Sequence, residues 1–298
     1  MRDPIATVPG INPAGREEQR IRCPECGRSE RDDTLGVNIR SGAFHCFRCG
    51  AKGRLGDRLD AGRSITRIDD PSVAERKRDR LRRTWRESVA LTNKLAVPVR
   101  TYLQARGLGE ILRSPPAVLR AHPSLEYFDG PRSLGRYPAM IGLFHSAAGE
   151  PVTLHTTYLR SDGFAKASVP SPKKILGVPV RGATKGGAIR LYEPTLGVMG
   201  VAEGIESALS LRMIRSIPVW AAFCADNLEH LRLPDGLREL HIGVDRDKSG
   251  KGEQVAKALA ARVLKWRCRP KVSLWYPEID GPGDLNDEIL KARVSRGR

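Results

Sequence analysis

Val198-Met199-Gly200-Val201-Ala202-Glu203-Gly204 and, further along, Leu240-His241-Ile242-Gly243-Val244-Asp245-Arg246-Asp247 share one pattern: a short apolar run that ends in acid. Runs of this length, bounded by turn residues, fit strands buried on both faces of a sheet. Strand candidates are 196–202, 218–223, 239–244 and 271–276, with helical segments at about 204–215, 251–267 and 284–294. Strands alternating with helices imply parallel pairing through right-handed crossovers. In such an open sheet the ligand crevice lies outside the carboxyl ends of the strands. Glu203, Asp245 and Asp247 stand at those ends. Asp284 and Asp287 follow the last strand in Pro282-Gly283-Asp284-Leu285-Asn286-Asp287.

Carboxylates gathered at one edge repel one another unless a cation lies between them. Hard oxygen ligands select magnesium or manganese, ions that keep waters and also bind substrate phosphates. The Asp-x-Asp spacing of Asp245 and Asp247 points both side chains one way if the chain stays extended. Taken singly, each acid reads equally well as a solvated loop residue or a helix cap. Their shared placement is what argues for a site. The stretch from Gly243 to Ser249 superficially resembles a phosphate-binding loop, but no glycine precedes Lys248.

Upstream, Cys23-Pro24-Glu25-Cys26 and Cys46-Phe47-Arg48-Cys49 form two knuckles, each followed by glycine (Gly27, Gly50). Two such pairs complete a tetrahedral, four-sulfur structural zinc site. Between them, 34–40 and 42–46 read as a hairpin around Ser41-Gly42. His45 adjoins Cys46 but is not needed as a ligand. Cys224 and Cys268 read as small hydrophobes. Phe44 and Phe47 lie among Arg40, Arg48, Lys52 and Arg54, an interleaving that suits a single strand whose bases stack while its phosphates pair with charge. One of the two rings is expected in the module's small core.

The formal net charge of +17 points to a polyanionic partner, because phosphate contacts release counterions. The positive charge is clustered. From Val73 to about Leu95 the sequence reads as one helix, N-capped by Ser72. Its apolar stripe is Leu81, Trp85 and Val89, and Arg82 and Arg86 stand on its basic faces. A second helix is expected near 100–106, ending at Gly107. Strand-like runs appear at 139–144 and 152–158. Lys166, Lys173, Lys174 and Arg190 are candidates for gripping a triphosphate or template. No apolar run approaches the roughly 18 residues that span a bilayer. Met1-Arg2-Asp3-Pro4 does not open a secretory signal. A cytoplasmic protein with no membrane contact is therefore expected.

The domain organisation read from these signals is a flexible N-terminus (1–20), a zinc ribbon (21–57), a linker (58–71), a basic helix (72–95), a mixed α+β region (96–195) and an α/β domain (196–298). The fold class is multidomain α/β: a small β ribbon, a mixed region and a largely parallel sheet.

Val201-Ala202-Glu203-Gly204-Ile205-Glu206-Ser207-Ala208-Leu209 and Ile242-Gly243-Val244-Asp245-Arg246-Asp247-Lys248-Ser249-Gly250 resemble the Toprim domain shared by bacterial-type primases, topoisomerases and some nucleases. Asp284-Leu285-Asn286-Asp287 is similar to the last acidic motif of that family in plasmid and phage primases. The cysteine module resembles the primase zinc ribbon, although a histidine usually stands where this chain has Cys26. Arg100-Thr101-Tyr102-Leu103, Arg106-Gly107-Leu108 and Lys173-Lys174 are similar to motifs of mobile-element primases. The order, ribbon then Toprim, is that of the bacterial-type primases.

The resemblance implies a DNA primase, a nucleotidyltransferase that makes short RNA primers on single-stranded DNA in phage or plasmid replication. Its partners would be the template, nucleoside triphosphates and, in addition, a separately encoded replicative helicase. Its cofactors would be one structural Zn2+ and catalytic Mg2+ or Mn2+. Asp245, Asp247 and Asp284 or Asp287 would hold the metal, with Glu203 as general base or further ligand. Glu206, one turn along, is either a supporting residue or solvent-facing. The alternatives are a Toprim-type metal-dependent nuclease and a non-catalytic zinc-ribbon protein that binds single-stranded DNA.

Overall fold

In the computed structural model, residues 10–12, 14–23, 33–47, 52–54 and 71–296 are described. The chain divides into two units, 1–70 and 71–298.

The first unit holds a four-stranded antiparallel sheet among its described residues, in the order β1 (Glu18–Ile21), β2 (Leu35–Asn38), β3 (Ala43–Cys46) and β4 (Lys52–Arg54). The hairpin expected around Ser41-Gly42 is β2–β3, with Gly42 at φ +69°. Its core consists of Ile21, Cys23, Leu35, Val37 and Cys46, with Phe44 packed against it. Residues 18–20, placed above in the flexible N-terminus, instead belong to β1, which pairs with Leu35–Asn38 and turns Ile21 inward. The 58–70 part of the expected linker lies outside the described residues.

The second unit opens with α1 (Pro71–Glu87), which stops well short of Leu95. Ser88 turns its hydroxyl back onto the Thr84 carbonyl (2.7 Å), and the chain leaves the helix into β5 (Val89–Ala90). Val89, assigned above to the helical stripe, therefore sits in a strand paired with Ala121. A 3₁₀ turn at Lys94–Ala96 leads into α2 (Val97–Ala105), and Gly107 beyond it takes φ +78°. After a second 3₁₀ turn at Gly109–Arg113 come β6 (Leu119–Asp129), β7 (Arg132–His145), β8 (Pro151–Tyr158) and β9 (Lys173–Ile175). With β5 they form an antiparallel sheet in sequential order.

The remaining elements are β10 (Ile189–Arg190), β11 (Val198–Ala202), α3 (Ile205–Arg215), β12 (Val219–Ala221), α4 (Ala225–His230), β13 (Glu239–Gly243), α5 (Lys251–Val263), β14 (Lys271–Trp275) and α6 (Leu285–Arg296). Their sheet runs β10-β12-β11-β13-β14, parallel except for β10. The chain goes from β11 outward to β12, then returns past β11 to β13. The strand order thus reverses between β11 and β13, the place where an open α/β sheet forms its crevice. Leu209 and Leu211 of α3 share one core with Met140 and Phe144 of β7. Val255 and Leu259 of α5 close the other face of the parallel sheet over Val201 and Ile242. The mixed α/β fold class read from the sequence is the one observed. No described helix is long and apolar enough to cross a membrane.

Candidate active site

Glu203 leaves the end of β11 and Asp245 follows β13, side by side at the reversal point. A two-residue bridge, Arg246 N–H to the Gly283 carbonyl and back (both 2.8 Å), ties the β13 loop to the loop before α6 and brings Asp284 alongside. Asp245 is the most perturbed of these acids. Burial, then the charges of Glu203 and Asp284, push its carboxyl up to about 7, against the pull of Ser207 and Lys173. One of its oxygens is buried with no hydrogen-bond partner. Burial likewise raises Glu203, with Lys173 opposing and Asp247 adding to the shift. A cavity of about 300 Å³ opens beside Asp245, lined also by Arg246, Asp247, Glu253 and Gly281.

The other acids are engaged in capping. Asp247 Oδ1 accepts from the Ser249 amide (2.7 Å) and hydroxyl (2.5 Å), and Oδ2 accepts from the Gly252 amide (3.0 Å). The Ser249 hydroxyl, ahead of the amides of Gly252 and Lys251, holds this exposed carboxyl below its ordinary range. Asp284 and Asp287 form a reciprocal capping box on α6. Asp284 Oδ1 accepts from the Asp287 amide and Asp287 Oδ2 from the Asp284 amide, both at 3.1 Å. Asp287 also faces Arg106 at 3.8 Å. Asp284 thus both caps a helix and bears on Asp245, whereas Asp287 faces α2.

The basic candidates separate sharply. Lys173 and Lys174 alternate on β9 and so lie on opposite faces. Lys173 Nζ reaches Glu206 Oε2 at 3.0 Å and Lys166 Nζ reaches Oε1 at 3.7 Å. Lys174 lies over the Tyr127 ring (3.9 Å) and donates to the Phe128 carbonyl, on the face away from the acids. Arg190 stacks on Trp220 at 4.5 Å. Arg82 pairs along its own helix with Glu75 and Asp79, and Arg86 is exposed.

Glu206 is not solvent-facing: its side chain is 3% exposed and also accepts from the Tyr102 hydroxyl at 2.7 Å. Burial alone would raise its carboxyl. Lys173, then Lys166 and Tyr102, more than offset this and hold it well below the carboxylate range. Tyr102 was visible only as one letter of the Arg100–Leu108 motif, with nothing in the sequence to place it here. Asn286, fully buried, donates to the Arg106 carbonyl (2.7 Å) and to Ser210 (3.2 Å), fixing α6 to α2 and α3.

In the first unit, Cys23 and Cys46 are buried in one small core, while Cys26, Cys49 and Arg48 lie outside the described residues. Phe44 joins that core. Phe47 stays 59% exposed, with Arg20 over its ring at 4.0 Å and His45 edge-on at 4.9 Å.

Among the described residues no group of three His, Cys, Asp or Glu side chains closes into a ready-made ligand set. The donor set of Asp245, Glu203 and Asp284 nevertheless fits a hard divalent ion that keeps several waters. It offers carboxylate oxygens, one of them orphaned, in a place where the carboxyls already repel. Two buried cysteine thiols in one core likewise suit one end of a sulfur-ligated zinc site.

The chain has several likenesses among known proteins. Residues 75–190 match a domain family of unknown function, and residues 198–292 match the Toprim domain. Among solved structures, the primase fragment of the bacteriophage T7 primase-helicase protein aligns over 93% of this chain and 96% of its own, at 13% identity and a TM-score of 0.40. The zinc-binding and RNA polymerase domains of Aquifex aeolicus primase align over 94% and 78%, at 15% identity and a TM-score of 0.39. The E. coli primase catalytic core aligns over 75% and 80%, at 14% identity and a TM-score of 0.45. No curated protein matches the chain. What closes the acid crevice at the reversal point between β11 and β13 is therefore a Toprim domain, residues 198–292.

Proposed function

We propose that the chain is a DNA primase of the phage or plasmid kind, which copies single-stranded DNA into short RNA primers. The observation that carries this reading is the pairing of opposite charges at the end of the parallel sheet. Asp245, Glu203 and Asp284 converge on one crevice, and the ammonium groups of Lys173 and Lys166 stand at its flank. Carboxylates fit the ions, and lysines fit the triphosphate those ions bind.

Magnesium or manganese held by Asp245 and Asp284, with Glu203 as ligand or base, would lower the pKa of an attacking 3′-hydroxyl and neutralise charge on the α-phosphate. Asp245, with its carboxyl near 7, would be ionised by the arriving cation. Glu203, whose carboxyl burial raises, is suited to accept the hydroxyl proton. Lys173 and Lys166 would neutralise the β- and γ-phosphates and keep them from the acids. Asp247, already spent on the α5 cap, would act through the shape of that loop more than as a ligand.

The ribbon would grip the template. Phe47 and Arg20 offer a ring and a cation on the surface, suited to stacking bases and pairing phosphates. The zinc held by Cys23, Cys26, Cys46 and Cys49 would keep that surface in shape. The net charge of +17 supports a nucleic-acid partner. A separately encoded helicase completes the expected partners.

The test is to incubate the full chain with end-labelled single-stranded DNA templates and labelled ribonucleotides, with and without magnesium. The proposal expects short labelled RNA that needs both template and metal. Shortening of the labelled template without RNA would instead mark a Toprim nuclease.

A further inference from the structure

Tyr102, Lys166 and Lys173 all come from the 75–190 stretch, whose family has no assigned function, and all converge on one Toprim side chain. We infer that Glu206 is a positioning residue that aims the Lys173 and Lys166 ammonium groups at the phosphate chain of a nucleotide held over Glu203, Asp245 and Asp284. The 75–190 domain then supplies the cationic half of the Toprim site. This inference rests on the nucleotidyl-transfer reading above.

The exposures show which way the cluster faces. The Glu206 side chain is 3% exposed, but those of Lys166 and Lys173 are 36% and 39% exposed. The carboxylate is the buried anchor, and the lysine side chains reach it from the accessible side. Lys173 Nζ stands 3.9 Å from where a Cβ on Gly204 would lie, next to Glu203, and its charge opposes the rise of the Glu203 and Asp245 carboxyls, so it adjoins both the anchor and the acids. A carboxylate buried this deeply is stable as an anion only if donors surround it, and Tyr102 supplies the remaining one.

Without that anion, two ammonium groups would repel one another beside a low-dielectric wall, and their long side chains would swing into solvent. His155, buried beneath them, has its imidazole pushed down to about 4 by burial and by Lys173, so it adds no third positive charge. Glu206 follows Glu203 by one helical turn. The junction between β11 and the first turn of α3 thus fixes both an acid at the cleft and the anchor for the cations behind it.

The experiment uses the full chain with magnesium and measures equilibrium binding of a non-hydrolysable ATP analogue and of adenosine, together with KM and kcat for RNA synthesis. Glu206→Gln is expected to weaken the triphosphate analogue about ten-fold, the loss of charge-assisted contacts. Adenosine affinity should be unmoved and KM should rise more than kcat falls. Glu206→Asp, which keeps the charge, should recover most of the loss. Adding Glu206→Gln to Lys166→Met/Lys173→Met should weaken the analogue no further, because Glu206 acts through those two ammonium groups.

A folded Glu206→Gln protein that binds the analogue as tightly as wild type overturns the inference. Should Glu206→Gln fail to fold, unchanged analogue affinity in Lys166→Met/Lys173→Met overturns it equally. A wild-type protein that binds the analogue in a Glu206-dependent way yet makes no RNA would sink the primase reading and leave this inference standing.

Discussion

The two sheets of the 71–298 unit bring their side chains to the site by different routes. The parallel sheet delivers acids from strand ends: Glu203 after β11 and Asp245 after β13, set together by the reversal of strand order. The antiparallel sheet delivers cations from its edge and from a loop. Lys173 comes from β9, and Lys166 from the turn closed by its bridge to Leu159. In the first case, position in the topology decides function, and any residue at that place meets the crevice. In the second, the face of the strand decides, and one step along β9 turns Lys173 toward the site and Lys174 away from it.

The comparison breaks most visibly at Asp245. Asp245→Asn is expected to reduce RNA synthesis by on the order of 10³-fold, as loss of a preorganised charge at a reacting centre does. Asp247→Asn, which keeps an acceptor oxygen for the cap, should lose far less, and a steady-state assay of the pair would show whether the two acids differ as their hydrogen bonds imply. In the first unit, the proposed four-cysteine site predicts that Cys23→Ser lowers bound zinc measured by atomic absorption and weakens template binding. The nucleotide site of the other unit should keep its affinity.

Gly252 tests how closely α5 must approach Asp245. A Cβ there would lie 2.1 Å from the Asp245 carbonyl oxygen, so Gly252→Ala should cost ~1–3 kcal/mol by chemical denaturation, the range of core overpacking. Stability against pH tests the acid half from another side. The folded Asp245 carboxyl sits near 7, above the ~3.9 of an unfolded aspartate, so its ionisation opposes folding. The stability it contributes is present at low pH and is lost as pH rises through about 7. On this group's account the metal-free protein should melt lower at pH 8 than at pH 6. Asp245→Asn should remove that difference, and magnesium should shrink it.

The smallest expected effects are at Lys174, on the far face of β9, and at Arg190, on β10 of the other sheet. Lys174→Met and Arg190→Met should leave nucleotide affinity unchanged and cost ~1 kcal/mol of stability each, through lost ring contacts. A drop in triphosphate binding from Lys174→Met would erase the distinction between the two faces of β9.

These routes explain what the sequence disclosed. The parallel strands were legible because each is an apolar run that stops at an acid, and their order implied the crevice. The β2–β3 hairpin was legible from Ser41-Gly42. Helix α1 was overextended because Val89 continues the four-residue stripe, and only its pairing with Ala121 makes it a strand. Strand β6 was missed because Pro123 and the charged Arg120 and Glu126 interrupt its alternation. Glu206 was the largest gap at the site. Its neighbours Tyr102, Lys166 and Lys173 lie far from it in sequence, and a buried carboxylate looks like any helix-surface glutamate until its partners are known.

The central claim is that the acid crevice of the Toprim domain joins nucleotides on a template. Its most direct test compares wild type with Asp245→Asn for magnesium-dependent incorporation of labelled ribonucleotides on single-stranded DNA, with products resolved by length. The account expects short RNA from wild type and none from a folded Asp245→Asn protein. Equal RNA synthesis by both proteins, or template cleavage in place of synthesis by wild type, would contradict it.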